Sequence, residues 1–143
     1  MYPFRKLAVW RRAHALALNV HEVTERGYRG RFASLINQMR RASLSVAANI
    51  SEGTGQVTAA QFARYLTISL GSARELDYHI LVAKDLGLLS TSDYARLEAR
   101  ADQVCRMLAV LRLRVVQRAK VNAKQESDRI RSAQVIRHPT SDI

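Results

Sequence analysis

Proline is almost missing from this chain: Pro3 and Pro139 are its only two, and positions 4–138 contain none. Proline removes a backbone donor and clashes with the preceding helical turn, so its absence leaves the interior open to long helices. Cysteine occurs once, as Cys105. One cysteine excludes an intramolecular disulfide framework and cannot alone build a zinc site. Aromatic residues are 6% of the chain, which gives little support to a base-stacking platform for single strands. No apolar run approaches the roughly 20 residues of a membrane span. The opening Met1-Tyr2-Pro3-Phe4-Arg5-Lys6 soon meets Arg11-Arg12, unlike a secretory signal. A cytoplasmic location is the expectation. Acidic residues are also few, 12 Asp and Glu against 23 Lys and Arg, leaving a net charge of +11. Such an excess favours polyanionic partners and says nothing about fold.

What remains is a chain of 143 residues, 48% hydrophobic, long enough to bury one core without disulfides or metals. Its glycines divide it. Gly27 and Gly30 bracket one break, Gly53 and Gly55 a second, and Gly87 marks a third. Four segments result. The first, from about Phe4 to Glu25, repeats Val9, Ala13, Leu16, Val20 and Val23 at helical spacing. The second, from about Arg31 to Glu52, places Leu35, Ile36, Met39, Val46 and Ile50 on one face. The third opens at Thr58 with a capping box closed by Gln61, carries Phe62, Leu66, Ala73, Leu76 and Ile80, and stops before Gly87. The fourth opens on Ser90-Thr91-Ser92-Asp93, read as another capping box. It then alternates Tyr94, Leu97, Ala101, Val104, Leu108, Leu111 and Val115 three and four apart. Sustained period-two alternation is missing, so no sheet is expected. Short breaks favour antiparallel neighbours, hence an all-α, up-down-up-down four-helix bundle over residues 1–118. Residues 119–143 form a polar tail, either an extension of the fourth helix or disordered.

Enzyme chemistry finds little to use. A di-metal bundle needs Glu-x-x-His on two helices, and the chain has none. Glu75 and His79 are four apart and make at most a surface pair. His14 and His21 lack a carboxylate on their face. Cys105 follows the seam position Val104 and reads as a small apolar filler rather than a nucleophile. Gly53-Thr54-Gly55 lacks the glycine spacing and lysine of a phosphate loop and reads as a helix stop. No catalytic residue, cofactor or metal is expected.

The charge has a direction. In an up-down bundle the start of the first helix sits beside the end of the fourth. That collects Arg5, Lys6, Arg11, Arg12, Arg112, Arg114 and Arg118 at one end, with Glu52 the evident acid. The opposite end has Arg26, Arg29 and Arg31 but also Glu22, Glu25, Asp85 and Asp93. The first end is the expected nucleic-acid-binding surface, because clustered cations displace counterions from phosphates. Apolar residues are also in surplus. Ile68, Val82 and Leu86 on the third helix, and Val110 and Leu113 on the fourth, lie off the core stripes. Extra stripes are expected to form an oligomer interface. Near the second break, Asn49 is expected to hydrogen-bond the neighbouring loop, and Glu52, which opposes the local helix dipole, to have a partner, a basic residue or the start of the third helix, the two having a structural role in pinning the 53–57 turn.

Several strings have a familiar form. Phe4-Arg5-Lys6-Leu7-Ala8-Val9-Trp10 opens the chain, and Gln38-Met39-Arg40-Arg41-Ala42 continues through Ser45 to Asn49-Ile50-Ser51-Glu52-Gly53. Phe62, Tyr65 and Leu66 precede Gly71-Ser72-Ala73-Arg74-Glu75-Leu76, and Leu86-Gly87 closes the third segment. Over roughly residues 4–115 the chain resembles the four helix bundle proteins, also described as 23S rRNA intervening-sequence proteins. Arg41, Ser45, Asn49, Glu52 and Gly53 carry the most specific part. The basic first break and the tail after residue 118 depart from the family pattern. The resemblance implies a small cytosolic protein without established enzymatic activity. Through a distant accessory protein of diversity-generating retroelements, it also implies a homopentameric ring. Its implied partners are RNA or DNA and an unknown protein. A protein-interaction scaffold with no nucleic-acid ligand is the alternative.

Overall fold

The computed structural model describes residues 3–137, and among them there are four α-helices and no strands. Helix α1 spans Ala8–Thr24, α2 Ala33–Thr54, α3 Ala59–Asp85 and α4 Thr91–Arg137. Short 3-10 turns occupy Phe4–Lys6 and Glu25–Gly27. Helix α1 packs against α2 and α4, and α3 packs against α2 and α4, enclosing one core. Leu16, Met39, Ile50, Leu66, Leu76 and Leu108 are fully buried there. Each such side chain contributes about 1.5–3 kcal/mol by leaving water. The apolar spacings anticipated these positions; Trp10 and Val23 are half-buried at the edge.

Local chemistry sets the helix ends. Thr58 accepts from the Gln61 backbone N–H at 3.1 Å, and Gln61 Oε1 accepts from the Thr58 N–H at 3.2 Å, completing the expected capping box. Gly87 adopts φ +79°, a left-handed conformation that glycine takes without steric cost, and ends α3. The second expected box is half made. Ser90 Oγ accepts from the Asp93 N–H at 3.1 Å, but the Asp93 carboxylate turns to Arg96 at 3.0 Å. Arg40 fastens the end of α1 to α2. Its guanidinium donates to Thr24 Oγ1, the His21 carbonyl and Glu25 Oε2 at 3.0–3.2 Å, and lies 4.4 Å from the Tyr28 ring centre. A cation at a helix C-terminus also complements its dipole.

Helices α2 and α3 approach closely through small side chains. Ser69 Oγ donates to the buried Val46 carbonyl at 2.8 Å, and Ser45 Oγ meets Ser72 Oγ at 2.8 Å. Gly53 is buried at their junction, where a Cβ would stand 2.8 Å from both Phe62 Cδ2 and Tyr65 Cβ. Helix α4 departs from the expected boundary at 118. Val115 is its last buried side chain, yet the helix runs on to Arg137. Residues 119–137 are thus helical, and residues 138–143 of the expected tail lie outside the described region.

Gly53→Ala is expected to lower unfolding free energy by about 1–3 kcal/mol, because Tyr65 Cβ sits on a helix backbone and cannot yield freely. Urea denaturation followed by circular dichroism measures it, with helix content before unfolding unchanged.

Candidate nucleic-acid interface

One end of the structure is built from the start of α1, the α2–α3 turn and the middle of α4. A groove of about 530 Å³ lies there, lined by Leu7, Gly53, Val57, Phe62, Arg114 and Arg118, among others. A second groove of about 410 Å³ runs between Leu7-Ala8-Val9 and the α4 residues Arg106, Met107, Val110, Leu111 and Arg114. Arg114 thus borders both, and Val57 stands 96% exposed at the turn.

The seven basic residues expected at this end are not equivalent. Arg5 and Lys6 sit exposed on the 3-10 turn before α1. Arg11 folds back on that turn, donating to the Arg5 and Lys6 carbonyls at 3.1 and 3.0 Å, and so holds the turn against α1. Arg12 is farther along, in a groove of about 260 Å³ with Asn19, Arg100 and Gln103. Arg112 points elsewhere: its Nε donates to Thr67 Oγ1 at 2.8 Å, linking α4 to α3. Arg114 and Arg118 are exposed on the groove. The structure therefore brings Arg114 and Arg118 together beside Leu7, where the chain enters α1 from Arg5 and Lys6. Arg112 lies apart on the α3 side. Among the described residues none of these seven makes an ion pair with a carboxylate. Arg100, opposite Arg12 across that groove, is a further cation that charge and apolar spacing along the sequence do not single out.

Elsewhere, carboxylates share the surface with the cations. Arg40 pairs with Glu25, Arg96 with Asp93 and Arg106 with Asp102. Asp77 on α3 faces Glu98 and Asp102 on α4. Desolvation first, and then those two carboxylates, push its carboxyl above the ordinary range. Burial, reinforced by Asp77, also pushes the Cys105 thiol up, so the thiolate needed for nucleophilic chemistry is disfavoured. Among the described residues no group of three His, Cys, Asp or Glu could hold a metal. His14 stacks on Trp10 with ring centres 5.0 Å apart, and His21 Nδ1 is 2.9 Å from the Ala17 carbonyl oxygen.

The motif on α2 is placed differently from expectation. Asn49 Nδ2 donates to the Ser45 carbonyl at 2.9 Å and to Ser45 Oγ at 3.0 Å, reaching back along its own helix rather than to the loop. It orients Ser45 towards Ser72. The Glu52 side chain is exposed and has no ion pair among the described residues; its carbonyl accepts from Gly55 N–H and Gln56 Nε2 instead. Arg41 is exposed on the same helix. The surplus apolar residues are largely open to solvent: Ile68 46%, Leu86 55%, Val110 49% and Leu113 57%, with Val82 half-buried. Ile68 and Leu86 are five turns apart on the α3 line that includes Ser72, bordering α2, whereas Val110 borders α1.

A family model described as 23S rRNA-intervening sequence protein matches residues 5–110. The chain belongs to that family. No curated protein matches it. A crystal structure of a protein of unknown function from the S23 ribosomal protein family of Bacteroides thetaiotaomicron is similar, with TM-score 0.66 and 18% identity. The match covers 73% of this chain and 97% of that one, and it shows the shared fold. No helix among the described residues is long and apolar enough to cross a membrane.

The sign of the Asp77 shift fixes a pH effect. A carboxyl held above its unfolded value binds its proton more tightly in the native state, so its contribution to stability falls as pH rises through the carboxylate range. Asp77→Asn is expected to raise the melting temperature at pH 7 and to leave it nearly unchanged at pH 3. Calorimetry at both pH values checks this.

Proposed function

We propose that this protein is a non-enzymatic, homo-oligomeric nucleic-acid-binding protein. It has no cofactor, and it holds RNA or DNA on the basic end formed by Arg5, Lys6, Arg114 and Arg118. One observation carries the reading: Arg114 and Arg118 line a groove beside Leu7, into which the chain runs from Arg5 and Lys6, and among the described residues none of these four has a carboxylate partner, whereas Arg40, Arg96 and Arg106 are paired. Unpaired surface cations exchange their counterions for phosphates at little cost, and such binding tolerates any sequence. Helices α1 to α4 run up-down-up-down in this reading. The shared groove of α1 and α4, in which Arg12 meets Arg100 and Leu7 meets Leu111, supports their antiparallel course.

Assembly is the second half of the proposal. A closed ring needs two different patches on each subunit, each fitting the other on the next copy. The Ile68–Leu86 stripe beside α2 and the Val110–Leu113 stripe on α4 are two such patches, facing different directions. Their placement supports a cyclic oligomer over a two-fold dimer; five as the number of subunits rests on family resemblance. In a ring the basic ends repeat, so weak contacts act together. Residence in the cytoplasm belongs to the same reading.

Two measurements test it. Binding to labelled RNA or DNA is expected to weaken steeply with salt. Arg114→Gln with Arg118→Gln should reduce the slope of log affinity against log salt by about 1.4–1.8, at 0.7–0.9 per phosphate contact. Arg26→Gln with Arg29→Gln should reduce it less. Absence of binding at low salt overturns the reading in favour of a protein scaffold. In sedimentation, Ile68→Glu with Leu113→Glu should convert the oligomer to a helical monomer; a wild type already monomeric at micromolar concentration overturns assembly.

A further inference from the structure

The family match ends at residue 110 and the last buried side chain of α4 is Val115, yet the helix continues to Arg137. Every residue from Lys120 to Val135 is exposed. An unpacked helix of this length is marginal in water, so its sequence should show what it packs against. It offers a helical partner little: the row of Val116, Ala119, Ala123, Ile130 and Ala133 is mostly alanine and is interrupted by Glu126, and Val121 lies on the opposite side of the helix from Ile130.

Its cations, in contrast, are ordered. At 3.6 residues per turn, Arg114, Arg118 and Arg129 fall in one row and Lys120, Lys124 and Arg131 in another. The rows are separated by about 130° around the axis, with Gln117, Val121 and Asp128 between them, so the face between the rows carries one carboxylate. The opposite side holds Ala119, Ala123, Ile130, Ala133 and Glu126. Between residues 112 and 135 there are seven basic side chains and only two acidic ones, Glu126 and Asp128. Among the described residues the one ion pair there, Arg129 to Glu126, is 3.9 Å long and open to solvent.

We propose that α4 beyond the bundle is a DNA-binding arm that lies in the major groove of a duplex, its two basic rows facing the phosphates on either side. The proposal rests on the nucleic-acid reading above and extends it to a segment outside the family domain. The dimensions agree. An α-helix with its side chains is about 10–12 Å across, and the major groove of B-form DNA is about 12 Å wide. The stretch from Arg114 to Arg131 is about 26 Å long, enough to follow the groove over several base pairs. The major groove of A-form RNA is too deep and narrow to admit it. The arm therefore selects DNA duplexes, while the basic end itself takes either nucleic acid.

Fluorescence anisotropy with the full chain tests this, using a 20-base-pair DNA duplex and the RNA duplex of the same sequence over a range of salt. The variant Lys120→Gln, Lys124→Gln, Arg131→Gln keeps helix-forming residues at all three sites. It is expected to reduce the salt slope on DNA by about 2.7, at 0.9 per phosphate, and to leave RNA binding nearly unchanged. Unchanged affinity and slope on DNA, with helix content intact by circular dichroism, overturns the arm. Equal losses on DNA and RNA overturn its placement in the major groove. If Arg114→Gln with Arg118→Gln weakens binding and the triple variant does not, the basic end stands and the arm falls. If the wild type binds neither duplex, both fall together.

Discussion

The close approach of α2 and α3 is the constraint on which the rest of the structure depends. It is made by residues notable for how little they project. Gly53 leaves room for Phe62 and Tyr65, and Ser69 tucks its hydroxyl under the Val46 carbonyl. Ser45 and Ser72 meet directly, with Asn49 steering Ser45 from one turn away. Buried hydroxyls are tolerable here because each has a partner. Larger side chains at these positions would separate the helices and open the core between Ile50 and Leu66. They would also move the 53–58 turn, which forms one wall of the basic groove. The strings that carry the family resemblance thus belong first to packing. Their link to function is that they position a surface whose charged residues come from α4 and the start of α1.

Net charge alone would not distinguish a binding surface from a soluble one. Distribution does. Arg40, Arg96 and Arg106 have carboxylates beside them, and Arg11 and Arg112 are committed to backbone and hydroxyl acceptors. Those five guanidiniums stabilise the monomer locally, though exposed pairs contribute little each. Arg114, Arg118, Lys120 and Lys124 are among the cations that remain, and they follow one another along α4 with no carboxylate between them in the sequence. The acidic neighbourhood of Asp77, Glu98 and Asp102 lies away from that stretch and sharpens the contrast.

Much of the fold was legible in the sequence because helices bury apolar residues at a fixed period. The glycine breaks, the Thr58 cap and the left-handed Gly87 were local signals, and local signals survive folding. The functional surface was legible only in outline. Sequence places Arg112 and Arg114 side by side, but two positions along a helix turn a side chain by about 200°, so one faces α3 and the other the groove. The rows on α4 needed that same rotation applied over six positions. Asn49 differs from expectation for another reason. A polar side chain near a helix end has partners on its own helix as well as in the next loop, and spacing does not choose between them. The Glu52 carboxylate is exposed to water, which solvates it in place of a protein partner. Arg100 required knowledge of which α1 residue it stands beside, a tertiary fact.

The length of α4 is the feature least explained by the bundle. Helices α2 and α3, of 22 and 27 residues, bury their stripes almost end to end. Helix α4 has 47 residues, about 70 Å, and its outer part gains nothing from the core. Alanines and glutamines favour helix there, but propensity without packing leaves such a segment close to the folding balance. Like charges in each row repel and push it further towards unfolding. Phosphates on both flanks would reverse that term, converting repulsion within the rows into attraction to the ligand. The arm would then gain order and affinity from the same contacts, and its helix would be stabilised most where Lys120, Lys124 and Arg131 are neutralised by a duplex. On that proposal, the core that ends at Val115 carries a helix whose stabilisation comes from its ligand, and the family match ending at residue 110 is the match to the packed part.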